Sequence, residues 1–388
     1  MLADWTSLLF LSSAVLATAR GHSYNHAALH AKRQNADQQD QTAAKARWGQ
    51  LQQEYLDSLR ANLEPEGTCT WDTMTVRREW GDMPSEAKQD YLRAIHCLKE
   101  LPGKTDRNEQ TGVPGARSRW DDFTVAHMRN VNDVHRSPWL AVWHRHFVWR
   151  LEKALQEECG YKYGHPYWHW SKYLDQDVNT WPMFDNSPDS ISGNGTQTGP
   201  LCACVNEGPL ANWTVTLGPY PGSWGCSANP RDDGLGYNPR CIDRTFQPSN
   251  LRSNEYSDVV FVIDNSTDAD SFGRHVELEQ PSVHNYPHIF MGGTQIDVTF
   301  SSQDPWFFFH HFMLEYVFNL WQSRDWDTRT TSLPNADTFT ENRRRDGWAL
   351  PVPAPTLDST LWLQEAFENI TVREAMWPMK NQYCYRYE

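Results

Sequence analysis

Six of the fifteen histidines in this 388-residue chain fall into two groups whose spacing suits a metal site. His127, His135 and His144 form the first group, and His284, His288 and one of the adjacent pair His310 and His311 form the second. Imidazoles with no thiolate or carboxylate at the same spacing suit copper or zinc better than magnesium or calcium. Structural zinc would more often recruit the cysteines.

The elements that carry these side chains follow from the distances. On one unbroken helix, His127 and His135 would stand about 12 Å apart along the axis, too far to meet at one ion through bonds of roughly 2 Å. The helix must therefore end by His135, and Arg136-Ser137-Pro138 supplies the break. His144 then lies two turns into the next helix, which can fold back beside the first. His284 and His288 are spaced i, i+4 and share a helix face. Pro287 between them is tolerated only in a first turn, so that helix begins near His284. His310 and His311 lie about 100° apart around the last helix, so one is a ligand and the other supports or packs.

Helical patterns cover about residues 43–63, 86–101, 118–135, 137–158 and 304–321. Ser137-Pro138 has the form of an N-cap and first helical position. Residues 175–254 are rich in Gly, Pro, Asn and Ser, carry four of the eight cysteines, and read as an irregular insertion stapled by disulfides. The expected fold is mainly α, a four-helix bundle holding a dinuclear metal site, with long disulfide-stapled loops. No repeat divides the chain, so one domain is expected.

A net charge of −14 argues against nucleic-acid binding, and the one dense basic run, Arg343-Arg344-Arg345, reads as a solvated turn. An apolar run from Ser7 to Ala17 followed by Ala17-Thr18-Ala19 has the pattern of a signal peptide over residues 1–19. Residues 20–40, with the dibasic Lys32-Arg33, read as a pro-segment or flexible linker. No other stretch approaches the ~20 apolar residues that span a bilayer, so no membrane association is expected of the mature form. Sequons at Asn194, Asn212, Asn265 and Asn369 and an even number of cysteines fit a secreted or secretory-lumen protein. Cys202-Ala203-Cys204 is too tight for an easy mutual bridge, so each is expected to pair elsewhere, the alternative being a metal site built from the two.

At this point the motifs are similar to a known family. The segment HRSPWLAVWHRHFVWRLE from His135 to Glu152 resembles the first copper signature of tyrosinases, catechol oxidases and molluscan-type hemocyanins. HNYPH from His284 and DPWFFFHHFMLE from Asp304 resemble the second. Pro166-Tyr167-Trp168, Gly292-Gly293 and the closing Tyr385-Arg386-Tyr387 agree, and the resemblance spans about Cys69 to Tyr387. It implies a copper-binding catalytic domain over 41–388, of the short fungal type, with His127, His135 and His144 on CuA and His284, His288 and His311 on CuB. The second histidine of the HH pair is the ligand in that family.

The resemblance further implies two copper ions as cofactors and dioxygen as co-substrate. The implied partner is a phenolic or catecholic small molecule or a tyrosine-containing peptide. The reaction would be ortho-hydroxylation of monophenols, oxidation of o-diphenols to o-quinones, or both, in pigment or secondary-metabolite formation. The alternatives are a catechol or o-aminophenol oxidase without hydroxylation, and a hemocyanin-like oxygen carrier. Asn285 falls where relatives place an asparagine that helps hold a water for phenol deprotonation, with Glu279 as the accompanying acid and Glu277 in reserve. Ile289 is expected at the substrate entrance, and Phe307 and Phe308 in the core. His169 and Glu315 depart from the usual acid residues, which would alter the surroundings of the site. No cysteine lies between Cys97 and Cys159, so no cysteine–histidine thioether is expected. Only Glu388 follows the Y-x-Y, so no C-terminal shielding domain is expected.

Overall fold

The computed structural model describes residues 26–388 apart from 65, 201, 223–225 and 365, with side chains described from residue 38 onward. The expected signal peptide, residues 1–19, lies outside the described residues. Helix α1 (His26–Ala61) takes in Lys32-Arg33 and the polar run that follows, part of the stretch expected to be a pro-segment or linker. This stretch holds no proline and is rich in Ala and Gln, strong helix formers.

Helices α2 (Ser85–Glu100), α3 (Arg119–Val134), α4 (Leu140–Cys159), α5 (Tyr256–Asn265), α6 (Ala269–Gly273), α7 (Asn285–Met291) and α8 (Trp306–Gln322) build the body of the molecule. Three shorter ones, α9 (Trp326–Arg329), α10 (Ala336–Asp346) and α11 (Val372–Ala375), follow. Strands among the described residues are two to four residues long and pair two by two. The fold is mainly α, a helical bundle with long disulfide-stapled loops. Helix α4 packs on α2, α3 and α8, and every residue of α8 is buried, its polar members His310, His311, Glu315, Asn319 and Gln322 included.

Local chemistry sets the two helices that matter most. Ser118 and Asp121 form a capping box at the start of α3, and the helix ends at His135, whose backbone is extended (φ −111°, ψ 146°). Helix α4 opens at Leu140 rather than at Ser137-Pro138. Between the two helices the Ser137 hydroxyl donates back to the Asp133 carbonyl at 2.5 Å and accepts the Trp139 amide at 3.2 Å, so it belongs to the turn that joins α3 to α4. Pro138 shapes the turn between the helices. Gly160, left-handed at φ 66°, closes α4.

All eight cysteines pair: Cys69–Cys384, Cys97–Cys159, Cys202–Cys226 and Cys204–Cys241. Cys202 and Cys204 each bridge elsewhere, and no cysteine is left for a thioether. The strand Thr75–Arg77 pairs in parallel with Tyr385–Tyr387, which brings the closing Y-x-Y onto the bundle. There the hydroxyls of Tyr385 and Tyr387 donate to Glu315, which also pairs with Arg145 at 2.8 Å and Arg77 at 3.1 Å. Glu315 thus belongs to a buried ionic cluster that holds the chain's end. His169 is buried between Trp48 and Tyr256 (ring centroids 4.7 and 5.1 Å). Neither residue lines the cleft described below.

Arg343-Arg344-Arg345 is the last turn of α10, not a solvated turn. Arg344 and Arg345 are exposed, but Arg343 is buried. Its guanidinium donates to the carbonyls of Asn132, His135 (2.6 Å), Arg136 (2.9 Å) and Ala349 (2.9 Å). It thereby satisfies acceptors that the end of α3 leaves open.

Candidate metal centre

His127 on α3, His135 just past its end and His144 on α4 bring one nitrogen each to within 4.8 Å of one another. The chain break after Val134 is what allows it. His284 immediately precedes α7, His288 lies on it with Pro287 in its first turn, and His310 and His311 come from α8. These four also bring nitrogens within 4.8 Å. The two groups face each other: the rings of His144 and His311 stack at 4.4 Å and those of His135 and His284 at 5.8 Å.

Hydrogen bonds settle which nitrogen each ring offers. Nδ1 of His135 donates to the Val131 carbonyl at 3.0 Å, Nδ1 of His144 to Leu140 at 2.8 Å, and Nδ1 of His127 to Thr299 at 3.5 Å. Each ring then presents the lone pair of Nε2. His288 does the same through a side chain, with Nδ1 at 3.0 Å from Oε1 of Gln295. The Nε2 atoms of His127, His144 and His284 are buried without a hydrogen-bond partner. Buried, unpaired lone pairs converging from several rings are costly unless a metal takes them, so the residues fit a pair of metal ions. Burial pushes every one of these imidazoles below the ordinary histidine value, His135 to about 4 and His288 to about 3. Neutral imidazole is the ligating form.

His310 differs from His311. Its Nδ1 receives the indole N–H of Trp170 at 3.0 Å, so its Nε2 carries the proton and donates to the His284 carbonyl at 2.9 Å. Its one lone pair is already used. His311 has no such engagement, and its Nε2 lies 3.3 Å from Nε2 of His288.

One cleft of about 160 Å³ opens beside His135, His284 and the half-buried His288. Glu277, Asn285, Ile289, Gln295 and Trp348 line it. Oε2 of Glu277 accepts the Arg136 amide at 2.6 Å and Oε1 sits 3.9 Å from Nδ1 of His284. Burial lifts this carboxyl to about 7, against the Arg136 amide and the charges of Arg136 and Arg343. Asn285 donates to the Glu277 carbonyl at 2.7 Å and to Ser282 at 2.8 Å.

Glu279, the acid preferred on sequence, is corrected by its position. It is half exposed, pairs with Arg274 at 3.2 Å and does not line the cleft. A widened π-type turn over Arg274–Leu278 directs Glu277 inward and leaves Glu279 in extended chain outside. Phe307 and Phe308 are fully buried, as expected. The four sequon asparagines are all exposed.

Gln295, Trp348 and Arg343 were not found from the sequence. A signal for Gln295 existed in Gly292-Gly293. A Cβ on either glycine would lie 2.3 or 2.2 Å from the carbonyls of Thr245 or Asp243, so this turn is pressed against the stapled insertion and delivers Gln295 to His288. Trp348 and Arg343 lie far along the chain from every histidine motif and had no local signal.

The common central domain of tyrosinase matches residues 117–324, which contain all six of these histidines. The chain belongs to the tyrosinase family. It is 35% identical over 319 residues to a tyrosinase-like protein of Emericella nidulans, covering 74% of this chain and 85% of that one. Tyrosinase P of Aspergillus terreus is 30% identical, with 84% and 94% covered. Among solved structures, a polyphenol oxidase variant from Thermothelomyces thermophila superposes with a TM-score of 0.78 at 30% identity, covering 88% of this chain and 97% of that one. The chain is therefore a copper oxidoreductase of the type with two copper ions that uses dioxygen and acts on phenolic small molecules.

Proposed function

We propose that this chain hydroxylates monophenols ortho to their oxygen and oxidises o-diphenols to o-quinones. The observation that carries this reading is the cleft that ends on residues of both facing histidine groups. Its volume, about 160 Å³, is close to the ~150 Å³ cavity that accepts a benzene ring. Bound copper supplies one-electron couples that make dioxygen reactive toward a closed-shell ring. His127, His135 and His144 would hold one ion and His284, His288 and His311 the other. The hydrogen bonds on Nδ1 hold four of these rings in the ligating tautomer. Glu277 is the carboxylate beside an entering phenol and would accept its proton, with Asn285 fixed next to it. Ile289 and Ile296 form an apolar rim that limits water.

A relative at 28% identity, the N-acetyl-6-hydroxytryptophan oxidase of Emericella nidulans, supports a hydroxylated aromatic metabolite as substrate. A second reading, oxidation of catechols or o-aminophenols alone, is favoured by the likeness to a polyphenol oxidase. The test is oxygen uptake by the copper-loaded chain on a monophenol, a catechol and an o-aminophenol. Turnover of the catechol alone selects the second reading, and no turnover of any with both coppers bound rejects both. Export and glycosylation at Asn194, Asn212, Asn265 and Asn369 complete the proposal. Their test is a mass loss on glycosidase treatment of protein recovered from the medium of a secreting host.

A further inference from the structure

We infer that Trp348 is the specificity-determining wall of the cleft and binds the substituent para to the reacting hydroxyl of an aromatic substrate; this rests on the phenol-oxidising reading above. Trp348 lines the cleft from outside the matched central domain, residues 117–324. The other lining residues belong to, or closely flank, the elements that carry the histidines.

The side chain is held in place from two directions. Helix α10 ends at Gly347 in the left-handed conformation, and the Trp348 amide donates back to the Arg343 carbonyl at 2.9 Å. Arg343 ties that turn to the carbonyls of His135 and Arg136, so the wall is referenced directly to a proposed copper ligand. Arg136 reaches across to α10, bonding Asn342 at 2.8 Å and pairing with Asp346. Its guanidinium then lies 5.5 Å from the centre of the Trp348 ring. With Arg136 fixed by its ionic contact and packed near the indole, and the Trp348 backbone tied to Arg343, the ring needs little further ordering when a ligand arrives.

Apolar residues border the same cleft. Ile289 and Ile296 are 38% and 53% exposed and line it with Trp348, while Leu350 (46%) follows two residues on. Large apolar side chains left in water around a concave site mark a surface that a ligand covers. A bare catechol ring fills a volume of this size, so a para substituent must extend outward toward this rim. Substrates with a bulky, uncharged para group gain contact there, and small or strongly charged ones do not.

The experiment compares wild type, Trp348→Ala and Trp348→Phe as copper-loaded full chain. The first arm measures KM and kcat on catechol and 4-tert-butylcatechol. The second measures, by calorimetry, binding of benzoate and 4-tert-butylbenzoate, which need no turnover. Wild type should favour the branched ring in both arms, and Trp348→Ala should lower that preference about tenfold, in KM rather than kcat. Trp348→Phe should restore most of it. A preference that survives Trp348→Ala, or that wild type never shows, overturns the inference while catechol oxidation still supports the oxidase. A preference among the benzoates that depends on Trp348, with neither catechol oxidised, rejects the oxidase and keeps the wall.

Discussion

Trp170 donates its indole N–H to Nδ1 of His310 at 3.0 Å, which leaves His310 without a lone pair for a metal. Its proton then sits on Nε2 and binds the His284 carbonyl. His311→Ala should therefore remove about half of the bound copper, whereas His310→Ala should retain most of it, as read by metal analysis after dialysis. The opposite pattern would reverse the assignment within the pair.

Gln295 fixes His288 through its side-chain oxygen, where His135 and His144 use backbone carbonyls. Losing a partner of this kind typically costs 10–100-fold in metal affinity, by order of magnitude. Gln295→Leu should weaken copper retention by roughly that factor in a chelator competition, and Gln295→Glu, which keeps an acceptor, should lose much less. Equal retention in both variants would mean that the bond does not hold the ring for its metal.

Glu315 is 1% exposed and is shared by Arg77 and Arg145. Removing one partner of a buried ionic group leaves the others uncompensated, at about 3–5 kcal/mol. Glu315→Gln should lower the denaturant midpoint by a corresponding amount. Burial pushes the Glu315 carboxyl up, but Arg145, Arg77 and the two tyrosine hydroxyls hold it below its ordinary 4.5. A depressed carboxyl contributes stability that is present above the ordinary value and lost as pH falls through the depressed one. Wild type should therefore lose stability on acidification below about pH 4.5 more steeply than Glu315→Gln. Parallel acid profiles would contradict this.

Cys97–Cys159 joins α2 to the end of α4, the helix that carries His144, and closes 62 residues. Replacing both cysteines with alanine should cost about 2–5 kcal/mol in thermal or denaturant unfolding. An unchanged Tm would show that packing of α2 on α4 suffices.

The sequence by itself carried the two histidine groups and the helix break before His144, and the resemblance to the family's motif, not spacing, pointed to His311 within the adjacent pair. Each of these is a matter of spacing along a helix or of a motif compact enough to read along the chain. The break followed from rise per residue alone, and α3 does end at His135. Helix α4 starts a few residues past Ser137-Pro138, because the Ser137 hydroxyl bonds both the Asp133 carbonyl and the Trp139 amide and so lies in the turn between the helices, which only the structure shows. Tertiary structure alone put Glu277 in the cleft and Glu279 outside it, since a π-type turn sets their directions and leaves no mark in spacing. It alone brought Gln295 to His288, Arg343 to the end of α3 and Trp348 to the cleft. Those contacts join segments distant along the chain, and the packing that decides them exists only once the chain has folded.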